Sequence, residues 1–497
     1  MPRGMKFGLI STIDTKFERQ EKGIRPIVAS KKLVVLGLDC AEPSLVFEQF
    51  RPQLPVLSSM MDSGMWGRLR SCDPPITCPA WMVMLTGTSP GELGIYGFRN
   101  RTDHSYAGLA FATSQWIKHE TVWDVLSRNN RNCTTLGVPL TFPPKPLRGN
   151  QVSCFLTPGP DSNYTYPAAL KTELKAACGE YIPDVKDFRT NDKVSLLKRI
   201  FEMTDNHCAY AKWLLTHKPW DFFMMVEMGT DRMHHGFWKY FDKQHPRYEF
   251  QPELQNCMQE YYRHVDTTLG KILEDVPDDA WVMVVSDHGI KRMVGGIAFN
   301  EWLIQQGYLV LKSRPEKLTP IGKCDIDWSK TKAWGDGGYY GRLFLNIKGR
   351  EPQGMIAPED VEAFKAELTA KLLALGDEKG QPIGTVVLRP EEIYERVNGV
   401  APDLIVYFGG LYWRSVGSVG HPGIHTFEND SGPDDANHAE EGIFLLTTKE
   451  RMKGGVRGPG EQHGLHLRNI ARTVLKLQGV EAPAGMGGSA FDLTGLT

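Results

Sequence analysis

Four sets of residues in this chain have the types and spacing for chemistry: Thr77, Asp39, the pair Asp231 and His235, and the dipeptide Asp287–His288. Thr77 lies in the stretch DPPITCPAWMVMLTGTSPGELGIYGF, residues 73–98. Pro74 and Pro75 stop regular structure before it, and Pro79 suits the first turn of a helix, where its missing N–H is not needed. Residues 81–85 read as helix, and TGTSPGELG reads as its end and a turn. Thr77 is therefore expected at a helix N-terminus, where free N–H groups and the dipole favour an anion. A hydroxyl in that position can attack phosphorus if a metal ion lowers its proton affinity. Ligands for such an ion follow three apolar runs. Asp39 ends Leu33–Leu38. Asp231 lies just beyond 222–228 and would share a helix face with His235, four residues on. Asp287 and His288 follow 281–286. A mixed carboxylate and imidazole set suits metal binding.

The elements that must position these residues are legible as well. Each apolar run reads as a buried strand of a parallel sheet, and in open α/β sheets ligands sit at the carboxyl ends of such strands. Taken alone, Asp39 reads as a cap of the following turn, and Asp231 as the cap of an exposed helix start. Capping does not account for an Asp after each of three strands. His234 competes with His235 but points partly round the helix. Helical periodicity runs from 167 to 218 and from 252 to 274, and HLRNIARTVLKLQGV reads as a last amphipathic helix. We expect an α/β fold with a mostly parallel central sheet and helices on both faces. Residues 1–30 form an N-terminal extension, 31–314 the first part of the catalytic core, 315–400 an inserted cap that shapes the substrate pocket, and 401–497 the completion of the core. Trp334, Tyr339, Tyr340 and Arg342 are the cap residues of interest; packing within the insertion is an equal reading of its aromatics.

Composition narrows the classes. A chain of 497 residues is too long for one simple core. With 41% hydrophobic and 23% charged residues it reads as an ordinary globular protein, and a net charge of −2 leaves no footprint for a nucleic-acid polymer or an acidic membrane. There is no apolar run long enough for a membrane span and no continuous apolar segment of a signal peptide near the N-terminus. Nine cysteines, scattered singly, suggest reduced thiols and a cytoplasmic location. The chemistry read at Thr77, attack on phosphorus beside a metal ion, makes a small-molecule phosphate ester the expected partner.

Collected, Asp39, Thr77, Asp231, His235, Asp287 and His288 with one late loop histidine, His421, His425 or His438, provide donors for two divalent ions. Zinc suits the mixed donors better than magnesium, with manganese or iron as alternatives. The order of these motifs resembles the alkaline phosphatase superfamily, and within it the type I phosphodiesterase / nucleotide pyrophosphatase group. The resemblance spans roughly residues 31–493. It rests on LGLD ending at Asp39, T-x-P-x-x-x-x-x-L-T-G-x-x-P from Thr77 to Pro90, D-x-x-x-H at Asp231 and His235, SDHG from Ser286 to Gly289, and a late His before GIF.

The resemblance implies a three-layer alkaline-phosphatase-like core, a two-metal site and a Thr77 nucleophile forming a covalent phospho-enzyme. It assigns Asp39, Thr77, Asp287 and His288 to one ion. Asp231, His235 and the late His go to the other. H-x-x-x-GIF from His438 to Phe444 looks more like the family's late segment than the stretch around His425; His463 and His466 are weaker candidates. An Asn that commonly touches the phosphate after the nucleophile helix is here Phe98, with Asn100 two residues on, and Leu93 replaces a usual His. Asn100, Trp81, Phe98 and Arg342 are the expected substrate-binding residues. The implied reaction is hydrolysis of phosphodiesters or related phosphate or phosphonate esters. A phosphomonoesterase or phosphoglycerate mutase-like activity would need extra cations, for which Arg99, Arg101 and Arg342 are available. A sulfatase is disfavoured because TCPAW lacks C-x-P-x-R. A metal-binding relative without hydrolysis is the alternative from another class, and it would leave all these ligands unused.

Overall fold

The computed structural model of the protein describes residues 31–430 and 432–496; the expected extension over 1–30 lies outside them. The main sheet contains β1 (Leu33–Leu38), β2 (Met65–Arg70), β3 (Cys133–Leu136), β4 (Gly149–Val152), β5 (Thr165–Tyr166), β6 (Phe222–Glu227), β7 (Trp281–Val285) and β8 (Glu441–Thr448). Their order is β2-β8-β7-β1-β6-β3-β4-β5, with two short strands beside β2. From β7 to β4 all neighbours are parallel, while β8 runs antiparallel to both β7 and β2. The three predicted apolar runs are the central strands β6, β1 and β7, and every residue in them is buried. A strand covered on both faces needs no polar alternation, which is why these runs are continuous.

The principal helices are α1 (Thr77–Thr86), α2 (Lys193–His217), α3 (Gly229–Phe241), α4 (Cys257–Glu274), α5 (Val361–Leu373) and α6 (Ile470–Leu477), all but α5 belonging to the main core. The strand period separates two layers of them. Leu36 and Leu38 face Thr204 of α2 and Val265 and Leu269 of α4. Gly37 points the other way, onto Trp81 of α1, where an added Cβ would come within 2.5 Å of the indole. Helix α1 packs in turn against α6. The result is a three-layer α/β/α core. The helical span expected over 167–218 is two helices, Leu170–Cys178 and α2. Gly179, at φ 82°, ends the first, and the Asp192 carboxylate caps the second by accepting the Ser195 N–H at 3.1 Å.

A second apolar core is built by Phe299, Trp302, Leu343, Phe344, Leu368, Leu404 and their neighbours. It underlies a four-stranded antiparallel sheet, ordered Ala333–Asp336, Gly341–Leu345, Leu404–Tyr407, Val386–Leu388, with α5 beside it. Among the described residues no helix is long and apolar enough to cross a membrane.

Candidate active site at the strand ends

Thr77 is the first residue of α1 and is buried. Its Oγ1 lies 3.2 Å from His288 Nε2. Asp39, just past β1, is fixed at its backbone by an N–H bond to the Glu227 carbonyl at 2.9 Å. Its Oδ2 accepts the Trp81 indole N–H at 2.6 Å, and its Oδ1 has no partner. Asp287, past β7, accepts the Cys40 N–H on Oδ1 at 3.2 Å and leaves Oδ2 unpartnered. His288 Nε2 faces both carboxylates, 3.3 Å from Asp287 and 3.8 Å from Asp39.

The second group forms on α3. Asp231 Oδ1 is 3.2 Å from His235 Nε2, one helical turn apart. His438 reaches them by strand pairing. The strand Ala436–Ala439 runs antiparallel to Gly289–Arg292 with His438 opposite Ile290. That register places its Nε2 3.2 Å from His235 Nε2 and 4.0 Å from Asp231. The His438 and His288 rings stack at 3.8 Å, so the two groups form one continuous site.

The tautomers of the three imidazoles follow from their other nitrogen. His288 Nδ1 donates to the Gly289 carbonyl at 3.0 Å, His438 Nδ1 to the Pro75 carbonyl at 2.7 Å, and His235 Nδ1 to the Asp434 carboxylate at 2.8 Å. All three Nε2 atoms are thus turned toward the acidic side chains. Burial raises the Asp39 and Asp287 carboxyls well above the usual carboxylate range, and neighbouring acids add to it. Burial also lowers His438, and His288 to about 4. His235 moves the other way: burial opposes its charge, but Asp434, Tyr339 and Asp231 outweigh it. Unpartnered buried carboxylate oxygens beside converging imidazole nitrogens are costly without a cation. This donor set therefore fits metal ions: Asp39, Asp287 and His288 lie within 4.8 Å of one another, and so do Asp231, His288 and His438.

The remaining expected residues have other settings. Trp81 is fully buried and engaged with Asp39. Asn100 closes its own turn, accepting the Tyr96 N–H at 2.7 Å and donating to Gly97 O at 3.0 Å. Phe98 packs edge-on against Phe155, and Leu93 is buried. Arg342 donates to the Arg99 carbonyl and to Asp336. Trp334 packs at a tilt against Phe344 inside the second core, the Tyr340 hydroxyl donates to Tyr96 O, and Tyr339 stacks 3.9 Å from His438. His234 faces Cys40 Sγ and Tyr262 instead of the carboxylates. His425 donates Nε2–H to Gly376 O at 2.8 Å, and His421 pairs with Ser418. His463 is exposed and His466 accepts the Arg468 N–H, both apart from the site. Unforeseen neighbours are Cys40, whose Sγ lies within 4.8 Å of Asp231 and His235 donor atoms, and the buried Asp434 with Arg414 and Arg189. The only sequence signal for Asp434 is the acidic pair that precedes His438 in PDDANH.

Residues 33–434 match the model of the type I phosphodiesterase / nucleotide pyrophosphatase family. The chain belongs to that family. It is accordingly a phosphoric ester hydrolase of the phosphodiesterase and nucleotide pyrophosphatase type, in a metal-dependent family. Among solved structures it is similar to phosphonoacetate hydrolase from Sinorhizobium meliloti 1021 in complex with phosphonoformate. The identity is 15%, the TM-score 0.56, and the match covers 89% of this chain and 94% of that one; the two share a fold. Human ectonucleotide pyrophosphatase / phosphodiesterase 5 matches at 13% identity and a TM-score of 0.49, covering 92% of this chain and 97% of that one. No curated protein matches the chain.

Proposed function

We propose that this phosphodiesterase-family member cleaves phosphodiesters by nucleophilic attack from Thr77 beside two divalent ions. One ion would be held by Asp39, Thr77, Asp287 and His288, the other by Asp231, His235 and His438. The observation that carries the reading is the gathering of three imidazole Nε2 atoms and two unpartnered carboxylate oxygens in one buried site, with the Thr77 hydroxyl 3.2 Å from the His288 Nε2. When bound, the ions supply nucleophile activation and charge neutralisation at phosphorus. Zinc suits the imidazole-rich set, and manganese and iron are the alternatives.

The chain's own groups set the geometry. Helix α1 presents Thr77 at its N-terminus, where backbone N–H groups favour the phosphoryl oxygens. The Thr77 Oγ1–phosphorus bond forms as the bond to the leaving alkoxide breaks; the Thr77 hydroxyl proton ends on that alkoxide, which leaves as the alcohol, and Thr77 is left as a phosphothreonine ester that keeps the substrate's other ester group. Water then attacks that phosphorus, the Thr77 oxygen leaves and regains a proton, and a phosphate monoester departs. The burial of Thr77 and the acidic groups limits solvent at the nucleophile.

The diester reading is favoured over a monoesterase by the cations. A monoester dianion asks for additional free positive charge. Arg101 is committed to the buried Glu351, Arg342 to Asp336, and Arg99 lies over the exposed Phe111 ring. We read residues 315–400 as the cap over this site. The nine free cysteines support a reducing compartment, the cytoplasm.

The test compares bis-p-nitrophenyl phosphate with p-nitrophenyl phosphate, using metal-stripped protein with added Zn²⁺ or Mn²⁺. Metal-dependent preference for the diester is expected; preference for the monoester overturns it. Thr77→Ala is expected to lower kcat by at least about 10³-fold with metal content nearly intact. An active Thr77→Ala protein sinks the nucleophile assignment.

A further inference from the structure

His438 and His288 each rest their Nδ1–H on a backbone carbonyl. His235 is different. Its Nδ1–H donates to Asp434, a carboxylate with a fully buried side chain. Asp434 is itself clamped. Its Oδ2 accepts from Arg414 Nη1 at 2.6 Å and Arg189 Nη1 at 3.1 Å, while its Oδ1 faces the imidazole. The two arginines hold the carboxyl well below the usual carboxylate range against the cost of burial, with His235 helping. Arg414 also lies 4.6 Å from the Tyr339 ring, which stacks on His438. One rigid assembly therefore fixes the orientation of both histidines of the second group.

We infer that Asp434 is a positioning residue that sets the affinity of the His235 ion. It does so by locking the imidazole in the tautomer with Nε2 free and by making that nitrogen a stronger donor. The inference rests on the two-metal reading above. A ligating imidazole backed by a carboxylate binds more tightly than one backed by a neutral acceptor, and loss of such a partner costs about 10- to 100-fold in metal affinity. The effect is confined to one ion, because Asp434 touches neither Asp39, Asp287 nor His288.

The experiment equilibrates the whole protein against graded free-Zn²⁺ buffers and reads bound zinc per chain by atomic absorption, with circular dichroism as the check of folding. Wild type is expected to fill two sites. Asp434→Asn is expected to need about 10- to 100-fold more free zinc for one site only, and to recover the wild-type KM for a diester at saturating zinc. A folded Asp434→Asn protein with both affinities unchanged, or with both weakened alike, overturns the role. Should Asp434→Asn not fold, Arg189→Gln removes one clamp from a partly exposed position. A smaller loss at the same single site is then expected, and no loss overturns the inference. Wild-type protein that takes up no zinc overturns the two-metal reading itself, and this role with it.

Discussion

Gly37 is where sheet packing and site chemistry meet. A Cβ at this position would stand 2.5 Å from Trp81 Cη2, 2.9 Å from Val226 Cγ2 and 3.1 Å from the Met225 carbonyl oxygen. Carbon atoms pack at about 3.5–4.0 Å, so Gly37→Ala forces the indole and β1 apart by about 1 Å. Trp81 is fully buried and cannot swing into solvent. It can retreat only by stretching its 2.6 Å bond to Asp39. Overpacking of this kind costs about 1–3 kcal/mol, and leaving the buried Asp39 oxygen without its hydrogen-bond partner about 1–3 kcal/mol more. Gly37→Ala is therefore expected to be destabilised by roughly 2–6 kcal/mol, with reduced turnover because Asp39 loses its side-chain donor. Urea unfolding of Gly37→Ala, Trp81→Phe and the double variant reads the coupling directly. Phenylalanine lacks both the Cη2 atom that clashes and the N–H that Asp39 accepts, so the double variant escapes the clash and loses that bond only once; it is expected to be more stable than the sum of the two by about 2–6 kcal/mol. Additive effects, within about 0.5 kcal/mol, would refute the close approach of Gly37 and Trp81.

Two further outcomes follow from the site and its supports. His438→Ala is expected to lose one of two bound zinc ions and at least about 10²-fold in kcat/KM, while His425→Ala, whose ring bonds Gly376 O away from the carboxylates, keeps both; equal metal loss in the two variants would count against the His438 assignment. His207 bonds Glu227 at 2.9 Å below the sheet. Burial opposes its charge, but Glu227 raises its pKa above the ordinary imidazole value, so the folded state binds the proton more tightly than the unfolded chain. Its contribution to stability is full below pH of about 6.5 and falls as pH rises through the folded value. The stability gap between wild type and His207→Gln is expected to narrow across that range in urea titrations at successive pH values, and a gap that widens would show the opposite sign.

Much of this architecture was legible because buried parallel strands write themselves as apolar runs. The runs 33–38, 222–228 and 281–286 coincide with β1, β6 and β7 to within a residue, and the polar residue after each run lands at the strand ends. Spacing on one helix was equally readable, since Asp231 and His235 are separated by one turn. What could not be read depends on pairing between distant elements. His438 reaches the site only through the register of its strand with Gly289–Arg292, and Asp434 meets His235 across 199 residues. The expected pocket residues show the same limit from the other side. Side-chain type says what Trp81, Asn100 and Arg342 can bind, but nothing in local sequence says that Asp39, the Tyr96–Gly97 turn and Asp336 already hold them.

A small cluster beside the second apolar core, holding Ile76, Tyr96, Tyr340, Tyr394 and Tyr407, has a bearing on the proposed nucleophile Thr77 that its sequence position conceals. Three tyrosines reach from it to the turn before and after α1. Tyr394 donates to the Asp73 carbonyl, Tyr407 to the Asp73 carboxylate at 3.0 Å, and Tyr340 to Tyr96 O. Ile76, the residue before Thr77, packs in the same cluster. The Asn398 backbone N–H donates to Gly91 O at 2.8 Å, at the far end of that segment. Every one of these bonds ends on residues 73–96, so the segment carrying Thr77 is braced from both ends. A hydroxyl that must stay 3.2 Å from His288 gains from such bracing, because attack geometry tolerates little displacement. With Thr77 as the proposed nucleophile, the residues between 340 and 407 would act on the reaction through the position of α1 as well as through any surface they offer to substrate.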